Sequence, residues 1–270
     1  MPLTEAGLPV NDIGVGRGYG IFDFLRVSSN IPLYRDDHLD RFFLSAKEMR
    51  LPVSYKKENL QDIITQLLQQ NNLLNSGIRI MLSGGVSTDG YSIEKPNLVI
   101  VQQPISLPLN HIFQKGYTLI SYPYQRQIPH VKTTDYLMAI WLQPLVKERE
   151  ADDILYHQNG MVSECPRSNF FIVTKEKKIV TPGRNMLKGI TRKQVLSLAV
   201  KNGMVVEERD ISLKDIKLAK EAFITSSTKR IVPVAQVDDI IFEPCTKESV
   251  TWQLFDLLLN KEKEAICLPF

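Results

Sequence analysis

Residues 18–27 have the sequence GYGIFDFLRV, a run in which aromatic and branched apolar residues alternate loosely with other residues. A pattern of this kind predicts a β-strand. Ser28, Ser29 and Asn30 follow and predict a turn, so we expect residues 31–34 to return as the hairpin partner of this strand. The first sheet of the protein is therefore expected to begin with a hairpin.

Two amphipathic helices are predicted after this hairpin, because apolar residues recur there at helical spacing. In the first helix, which begins near His38, they are Leu39, Phe42, Phe43, Ala46 and Met49. In the second helix they are Leu60, Ile63, Ile64, Leu67 and Leu68. Strands are then predicted at residues 78–83 and 98–101, which completes an N-terminal lobe with strands and helices.

The stretch QQPISLPLN at residues 102–110 has two prolines and little periodicity, which is typical of a linker. We place an N-terminal α/β lobe at residues 1–103, a linker at 104–114 and a C-terminal lobe at 115–270. Further strands are predicted at residues 117–122, 153–157, 168–173, 177–180 and 221–225. A helix is predicted to begin near Thr191 and to stop at Gly203. This mixture predicts an α+β (mixed α/β) fold in two lobes.

The composition is ordinary for a globular protein, with 43% hydrophobic and 23% charged residues among 270. A net charge of +3 is small for this length and gives no argument for nucleic acid or an anionic membrane as partner. The N-terminus lacks a basic segment followed by an apolar one, and no apolar run approaches the ~20 residues of a spanning helix. The three cysteines are far apart, so we expect reduced thiols in a cytoplasmic protein.

Several common site motifs are absent from the sequence. No GxGxxG follows a predicted strand, Gly84-Gly85 has no GK[ST] after it, and no GxSxG is present. The four histidines are isolated, and none has a second ligand at metal spacing, so we expect no metal site. The chemistry must therefore be sought in other polar residues.

Six short stretches, in order along nearly the whole chain, carry a family resemblance. They are RGYGIFDFLRV (17–27), HLDRF (38–42), VKTTDYL (131–137), VSECPRSNFFIV (162–173), LKGITRKQV (187–195) and FITSSTKRIVPV (223–234). In these stretches the chain resembles the fold-type IV pyridoxal-phosphate enzymes, which include branched-chain aminotransferases, D-amino-acid aminotransferases and aminodeoxychorismate lyases. The resemblance implies a two-lobed D-amino-acid aminotransferase-like fold, with a smaller N-terminal lobe and a larger C-terminal lobe that carries the cofactor lysine.

The resemblance implies that Lys132 is the catalytic residue. Its amine would hold pyridoxal 5′-phosphate as a Schiff base and later move the α-proton of the substrate. A lysine can do both where desolvation or a nearby cation lowers the pKa of its ammonium group. Glu164 would face the pyridine nitrogen and keep it protonated, so that the ring accepts electrons. Without the resemblance, each residue would be taken for an ordinary surface charge.

The resemblance also assigns a phosphate site. Ile190 and Thr191 would offer backbone N–H groups at the start of a helix, where these groups are unpaired and the dipole is positive. The alternative, that Thr191 simply caps the helix, stays open. Arg41 would bind the phosphate bidentately, although helical spacing turns it away from the apolar stripe and predicts a solvent-facing side chain. Ser227 takes the place of the family's phosphate-binding threonine.

Tyr136 matches a tyrosine near the phenolic oxygen of the cofactor, and a core aromatic is the equal alternative. Thr228 would bind phosphate or the substrate carboxylate. Phe22 and Arg79 would bind substrate, as in branched-chain enzymes, although glycine stands at position 77, where those enzymes have tyrosine. Other departures from the family pattern are Asp135 for asparagine, Cys165-Pro166 after Glu164, and Arg230 for glutamate.

The resemblance implies a transaminase that moves the amino group of an amino acid to a 2-oxo acid, working as a homodimer. The D-amino-acid group binds the α-carboxylate with an arginine and a histidine after the third strand, but residues 81–92, MLSGGVSTDGYS, contain neither. A branched-chain or similar L-amino acid is therefore the predicted donor. The alternatives are 4-amino-4-deoxychorismate lyase, D-amino-acid aminotransferase and a catalytically dead relative that only binds the cofactor.

Overall fold

A computed structural model gives the architecture and describes residues 1–106 and 111–267. Its helices are a 3-10 turn at Leu3–Glu5 and α1 (Ile13–Arg17), α2 (Arg35–Glu48), α3 (Lys57–Asn71), α4 (His111–Lys115), α5 (Leu137–Trp141), α6 (Gln143–Glu148), α7 (Ile190–Lys201), α8 (Leu213–Leu218) and α9 (Val250–Cys267). None of these helices is both long enough and apolar enough to span a bilayer, a statement limited to the described ranges.

The strands are interspersed with these helices along the chain, as the sequence predicts. They are β1 (Gly20–Ser28), β2 (Ile31–Pro32), β3 (Ser76–Ser83), β4 (Leu98–Pro104), β5 (Tyr117–Pro123), β6 (Asp153–Gln158), β7 (Met161–Val162), β8 (Glu164–Cys165), β9 (Ser168–Val173), β10 (Ile179–Thr181), β11 (Val206–Glu208), β12 (Ile211–Ser212), β13 (Glu221–Ser226), β14 (Arg230–Val237) and β15 (Ile240–Ile241).

The chain divides into two compact units. The first comprises Met1–Ser106 and Val131–Tyr136, and the second comprises the other described residues. Lys132 therefore packs with the first unit, which differs from its predicted place in a C-terminal lobe at 115–270. Residues 107–110 of the predicted linker lie outside the described residues, and the linker 104–114 stays a prediction.

The first unit is built on an antiparallel sheet in the order β2-β1-β3-β4. The predicted hairpin is confirmed: Ser28 pairs with Ile31, and Ser29 and Asn30 both have positive φ angles. Two such residues in a two-residue loop form the turn whose twist matches that of the strands. One side of the sheet packs on α2 and α3 through a fully buried apolar cluster that includes Leu39, Leu60 and Ile64.

The segment at residues 131–136 joins the first unit because its backbone pairs with the free edge of β1. The N–H of Phe22 donates to the carbonyl oxygen of Lys132 at 3.0 Å, and the N–H of Thr134 donates to that of Gly20 at 2.9 Å. Ile21 and Thr133 form the antiparallel bridge between these bonds. This pairing satisfies backbone groups that an edge strand would otherwise leave open.

The second unit has a mixed sheet in the order β11-β10-β9-β13-β14-β5-β6-β7-β12, with β8 against β9 and β15 against β14. Every residue of β9 is buried, and successive side chains enter two different apolar clusters. Phe170 lies on one face, whereas Phe171 lies on the other and stacks on Phe223 with ring centroids 4.6 Å apart. Burial on both faces explains the continuous apolar run of this strand.

Helices α7 and α9 cover one face of this sheet through Val195, Leu198, Leu254 and Leu258. The predicted helix is confirmed, but it begins at Ile190, and the N-cap residue is Gly189. Thr191 is therefore not the cap. The predicted stop is also confirmed, since Gly203 has a φ of +73°, the left-handed conformation that ends many helices.

Candidate active site

The first unit brings Lys132 onto the face of Phe22. Because the two residues pair directly across the β1 edge, their side chains stand on the same side of the sheet. The Nζ atom of Lys132 lies 4.4 Å from the centroid of the Phe22 ring. At this distance the ring attracts the ammonium form of the lysine, which fixes the position of the amine.

Two more predicted residues contact the same ring. The guanidinium carbon of Arg79 lies 6.0 Å from the centroid of Phe22, and the ring of Tyr136 lies 5.8 Å from it at a tilt of 56°. Three side chains, those of Lys132, Arg79 and Tyr136, thus surround one aromatic ring. They give this side of the sheet an apolar floor, an amine and a cation that can bind a carboxylate.

The opposite side of β1 carries a buried carboxylate. Strand alternation turns Asp23 toward the helix-packed core, where its side chain is fully buried between Ile21 and Leu25. Two groups of α2 compensate: the Nδ1 of His38 lies 2.6 Å from Oδ1, and Arg41 donates through Nε and Nη2 at 2.8 Å each. A buried carboxylate is tolerated only with such partners.

The expectation that Arg41 faces solvent is therefore wrong, because its side chain is only 11% exposed and ion-paired with Asp23. Burial acts to raise the pKa of Asp23, but the charges and hydrogen bonds of Arg41 and His38 outweigh it and hold that pKa well below its usual range. Burial lowers the pKa of His38. The charge and hydrogen bond of Asp23 act to raise this pKa, but burial, with the charges of Arg41 and Lys132, outweighs them, so His38 is neutral at pH 7. Its Nδ1–H then donates to Asp23.

The second unit holds Glu164 in a fixed position. This side chain is buried, and its Oε1 accepts a hydrogen bond from Nε of Arg126 at 2.9 Å. Its Oε2 accepts from the N–H of Leu187 at 3.0 Å. Arg126 also donates to the carbonyl of Pro129. An ion pair together with a backbone donor favours the carboxylate form, which is the form that can hold a proton on a neighbouring base.

The loop before α7 is held by Asn169, which pairs with Glu164 across β8 and β9. The amide of Asn169 donates to the carbonyl of Leu187 at 2.7 Å, and a Cβ at Gly189 would overlap its Oδ1. A side chain at this position would therefore have to displace the amide of Asn169. No side chain caps α7, so the first-turn N–H groups, which include those of Ile190 and Thr191, have no partner from a cap or from within the helix. Such a helix start can bind an anion.

Thr225 lies in the same row of the sheet, directly across from Asn169. Its side chain is 2% exposed, and its Oγ1 has no hydrogen-bond partner among the described residues. A buried hydroxyl without a protein partner is uncommon, and this one can donate a hydrogen bond to a bound anion. Ser227 and Thr228 follow in the half-buried turn between β13 and β14.

One of the departures from the family pattern, the arginine at position 230, has a structural role. Arg230 has a φ of +60°, and its Nε donates to the buried Oε2 of Glu262 in α9 at 2.7 Å. The ion pair attaches the turn that contains Ser227 and Thr228 to the last helix. This arginine is therefore used in packing the second unit.

Sequence reasoning missed Asp23, Arg126, Asn169 and Thr225. Only Asp23 carried a usable signal, because it is an acidic residue at a position that strand alternation turns into the core. Arg126 and Asn169 bond to segments far along the chain, and Thr225 is placed by pairing across the sheet with Asn169, so no local pattern marks these three residues.

We predict that Asp23→Asn lowers the free energy of unfolding by about 3–5 kcal/mol, because it removes the buried carboxylate that is ion-paired with Arg41. Urea unfolding of the purified protein measures the change. The matched control is Asp40→Asn on the same helix, where an exposed carboxylate pairs with Lys57 and less than about 1 kcal/mol is expected. Equal effects of the two substitutions would contradict the importance of the buried cluster.

The neutral state of His38 predicts a pH dependence. Its pKa is lower in the folded protein than in the unfolded chain, so stability falls as the pH drops below the ordinary histidine value of about 6.5. Asp23 does not contribute in this window, because its stabilising charge is lost only in stronger acid. His38→Asn keeps the donor to Asp23 but cannot titrate. It should therefore flatten the decline in melting temperature between about pH 7.5 and about pH 5.5, whereas His130→Asn, at an exposed site, should not.

The chain is similar to known proteins over most of its length. The family model described as amino-transferase class IV matches residues 20–237. A D-alanine aminotransferase of Listeria monocytogenes is 27% identical, over 95% of this chain and 91% of its own. A candidate branched-chain-amino-acid aminotransferase of Methanocaldococcus jannaschii is 30% identical, over 87% of this chain and 84% of its own.

Among solved structures, a candidate 4-amino-4-deoxychorismate lyase from Legionella pneumophila superposes with a TM-score of 0.87 at 27% identity. The alignment covers 96% of this chain and 97% of that one. The predicted fold class and family resemblance are thereby confirmed. A match over most of the chain establishes the family: the protein is a class IV aminotransferase, a member of the pyridoxal-phosphate-dependent transaminases.

Proposed function

We propose that this transaminase moves the amino group of a branched-chain or similar L-amino acid to a 2-oxo acid, with Lys132 as the catalytic residue. The observation that carries the proposal is the convergence of Lys132, Arg79 and Tyr136 on the ring of Phe22. An amine beside an apolar surface and a cation suits an amino-acid substrate, which has an amino group, a carboxylate and an apolar side chain.

The residues present fit pyridoxal 5′-phosphate. The partnerless hydroxyl of Thr225 and the uncapped start of α7 provide donors for a phosphate. Arg41, Ile190, Thr191 and Ser227 are the proposed phosphate ligands, and Glu164 is proposed to hold the proton on the pyridine nitrogen. The cofactor supplies an electron-accepting ring that stabilises negative charge at the substrate Cα.

Lys132 would act as the base and acid of the reaction. Its neutral amine would take the proton from the substrate Cα as a base and return it as an acid, and between turnovers the same amine would hold the cofactor covalently. The ring of Phe22 attracts the ammonium form after the proton has been taken up. Backbone pairing to β1 limits the motion of this lysine to its side chain.

Glu164 depends on Arg126 and on the N–H of Leu187. The arginine stabilises the carboxylate in its charged form, and the backbone donor fixes its second oxygen. A buried glutamate without these partners would favour its neutral form. Arg126 is therefore proposed as a positioning residue for the group that protonates the cofactor ring.

Side chains on the Lys132 side of the first sheet support a branched-chain or similar L-amino acid as donor. Apolar side chains of Met81 and Val99 continue the row that contains Lys132 and Phe22. Residues 81–92 offer neither the arginine nor the histidine of the D-amino-acid group. The relatives include proteins named for D-alanine and for branched-chain amino acids at similar identity, so these residues, and not the comparison, support the L-amino-acid assignment.

A homodimer and a cytoplasmic location are further proposals from the resemblance. Helix α5 supports association with another surface, because Leu137, Ile140 and Trp141 are 72%, 68% and 63% exposed. Neighbouring large apolar side chains on one short helix favour burial against a partner.

Lys132 should be the site of the covalent bond to the cofactor. Borohydride reduction of the holoprotein should fix the cofactor on Lys132, which peptide mass analysis locates. Lys132→Ala should lose the label and lower the transamination rate by about 10²–10⁴-fold, the usual contribution of a positioned acid–base group. The exposed Lys175 provides the control, because Lys175→Ala should keep both. A label on another lysine would refute the assignment.

Branched-chain L-amino acids should be the amino donors. With a panel of L- and D-amino acids, the absorbance of the pyridoxal form should fall with L-leucine, L-valine and L-isoleucine and persist with D-alanine. Restoration by 2-oxoglutarate would show the second half-reaction. A response to D-alanine alone would establish a D-amino-acid transaminase, and pyruvate released from aminodeoxychorismate without an oxo-acid acceptor would establish a lyase.

A further inference from the structure

The substrate side of the first sheet is an ordered set of rows. The strand registers place Lys132, Phe22, Met81 and Val99 side by side in one row. The next row consists of Phe24, Arg79 and Val101, and the row after it contains Gly77. Neighbouring rows on one face of a strand are about 7 Å apart.

Gly77 and Phe24 are complementary in shape. A Cβ added at Gly77 would lie 2.6 Å from Cε2 of Phe24 and would overlap Cζ, so the ring occupies the space that a side chain at position 77 would need. On its other side the same Cβ would lie 3.0 Å from Cγ2 of Ile105. Gly77 has no positive φ angle, so backbone conformation does not require glycine there. The reason for glycine is the ring of Phe24.

The position of this ring matters because of what lies beside it. Phe24 pairs directly with Arg79, which is itself 6.0 Å from the Phe22 ring and thus belongs to the group around Lys132. If the amino group of a donor reacts with Lys132 above Phe22, its Cα would lie over the first row. A side chain that extends from there along the strands toward Arg79 would reach the second row about 7 Å further on.

We propose that Phe24, held over Gly77, is a specificity-determining residue that limits the length of the donor side chain. The inference rests on the proposed function, since it takes Lys132 as the point where the amino group reacts. A bulky ring at the second row admits side chains of moderate size and repels those that reach further. The residue at position 77 acts through the ring, because any larger side chain there pushes Phe24 away.

The steric part is tested by thermal unfolding of the holoenzyme, which needs no turnover. Gly77→Ala should lower the melting temperature because its Cβ collides with the ring. In the Phe24→Ala background the same substitution should have a much smaller effect, so that the two positions are coupled. Equal effects of Gly77→Ala with and without the ring would overturn the proposed packing.

The functional part is tested by kcat/KM for alanine, leucine and phenylalanine, in the enantiomer that the wild-type enzyme uses. Phe24→Ala should raise the ratio of the phenylalanine to the alanine value by at least about 10-fold, the range that one or two carbon atoms give in an apolar pocket. Phe24→Leu, which retains more of the packing, should give a smaller increase in the same direction and serves if the alanine variant does not fold. Phe43→Ala, a truncation on the helix side of the same sheet, should leave the ratio unchanged.

The outcomes separate this inference from the proposed function. An unchanged ratio, or an equal change for every donor, in a Phe24 variant that keeps its cofactor absorbance would overturn the specificity role and leave the transaminase assignment standing. A wild-type enzyme without cofactor absorbance or transamination would overturn the proposed function, and the substrate role of Phe24 with it.

Discussion

The pairing of residues 132–134 with the edge of β1 is the constraint on which the candidate site depends. Two backbone hydrogen bonds, from Phe22 to Lys132 and from Thr134 to Gly20, place the lysine directly across from an aromatic residue. Without this register the side chains would stand on opposite sides of the strand, since a shift by one residue reverses their direction. Backbone geometry thus determines on which side of the sheet the amine lies, and only the rotamer of the lysine side chain remains variable.

The same strand has to satisfy two different environments. Phe22 and Phe24 stand on the side of the sheet that carries Lys132, and Asp23 between them stands in the helix-packed core. A buried carboxylate requires partners, and α2 supplies them as His38 and Arg41. The ion pair therefore fixes the arginine relative to β1. A cation that is positioned in this way needs no large rearrangement to bind an additional anion, which suits the proposed phosphate contact.

The sequence predicted the elements well, because strand alternation and helical spacing are local signals. It failed wherever the structure joins distant segments. The apolar stripe of α2 predicted a solvent-facing Arg41, since periodicity does not show the partner Asp23 on another element. The sequence also did not indicate that residues 131–136 group with the first unit, because pairing with Gly20 and Phe22 leaves no trace in the residues nearby. The site residues came from the family resemblance, which carries no information on what holds them; Arg126, the partner of Glu164, was missed for that reason.

Family membership fixes the chemistry of this protein more firmly than its substrate. The cofactor chemistry requires a lysine, a carboxylate and an anion site, and these depend on strand register and helix ends, which tolerate many sequences. The donor, in the proposal made above, is selected by the volumes of a few side chains on one face of a small sheet. Glycine at position 77 would by itself leave a hollow, but Phe24 fills it. The same space can therefore be filled by a side chain from either of two neighbouring strands while the backbone stays the same. Relatives named for different substrates can then share a fold at about the same identity, and specificity must be judged from paired positions and not from single residues.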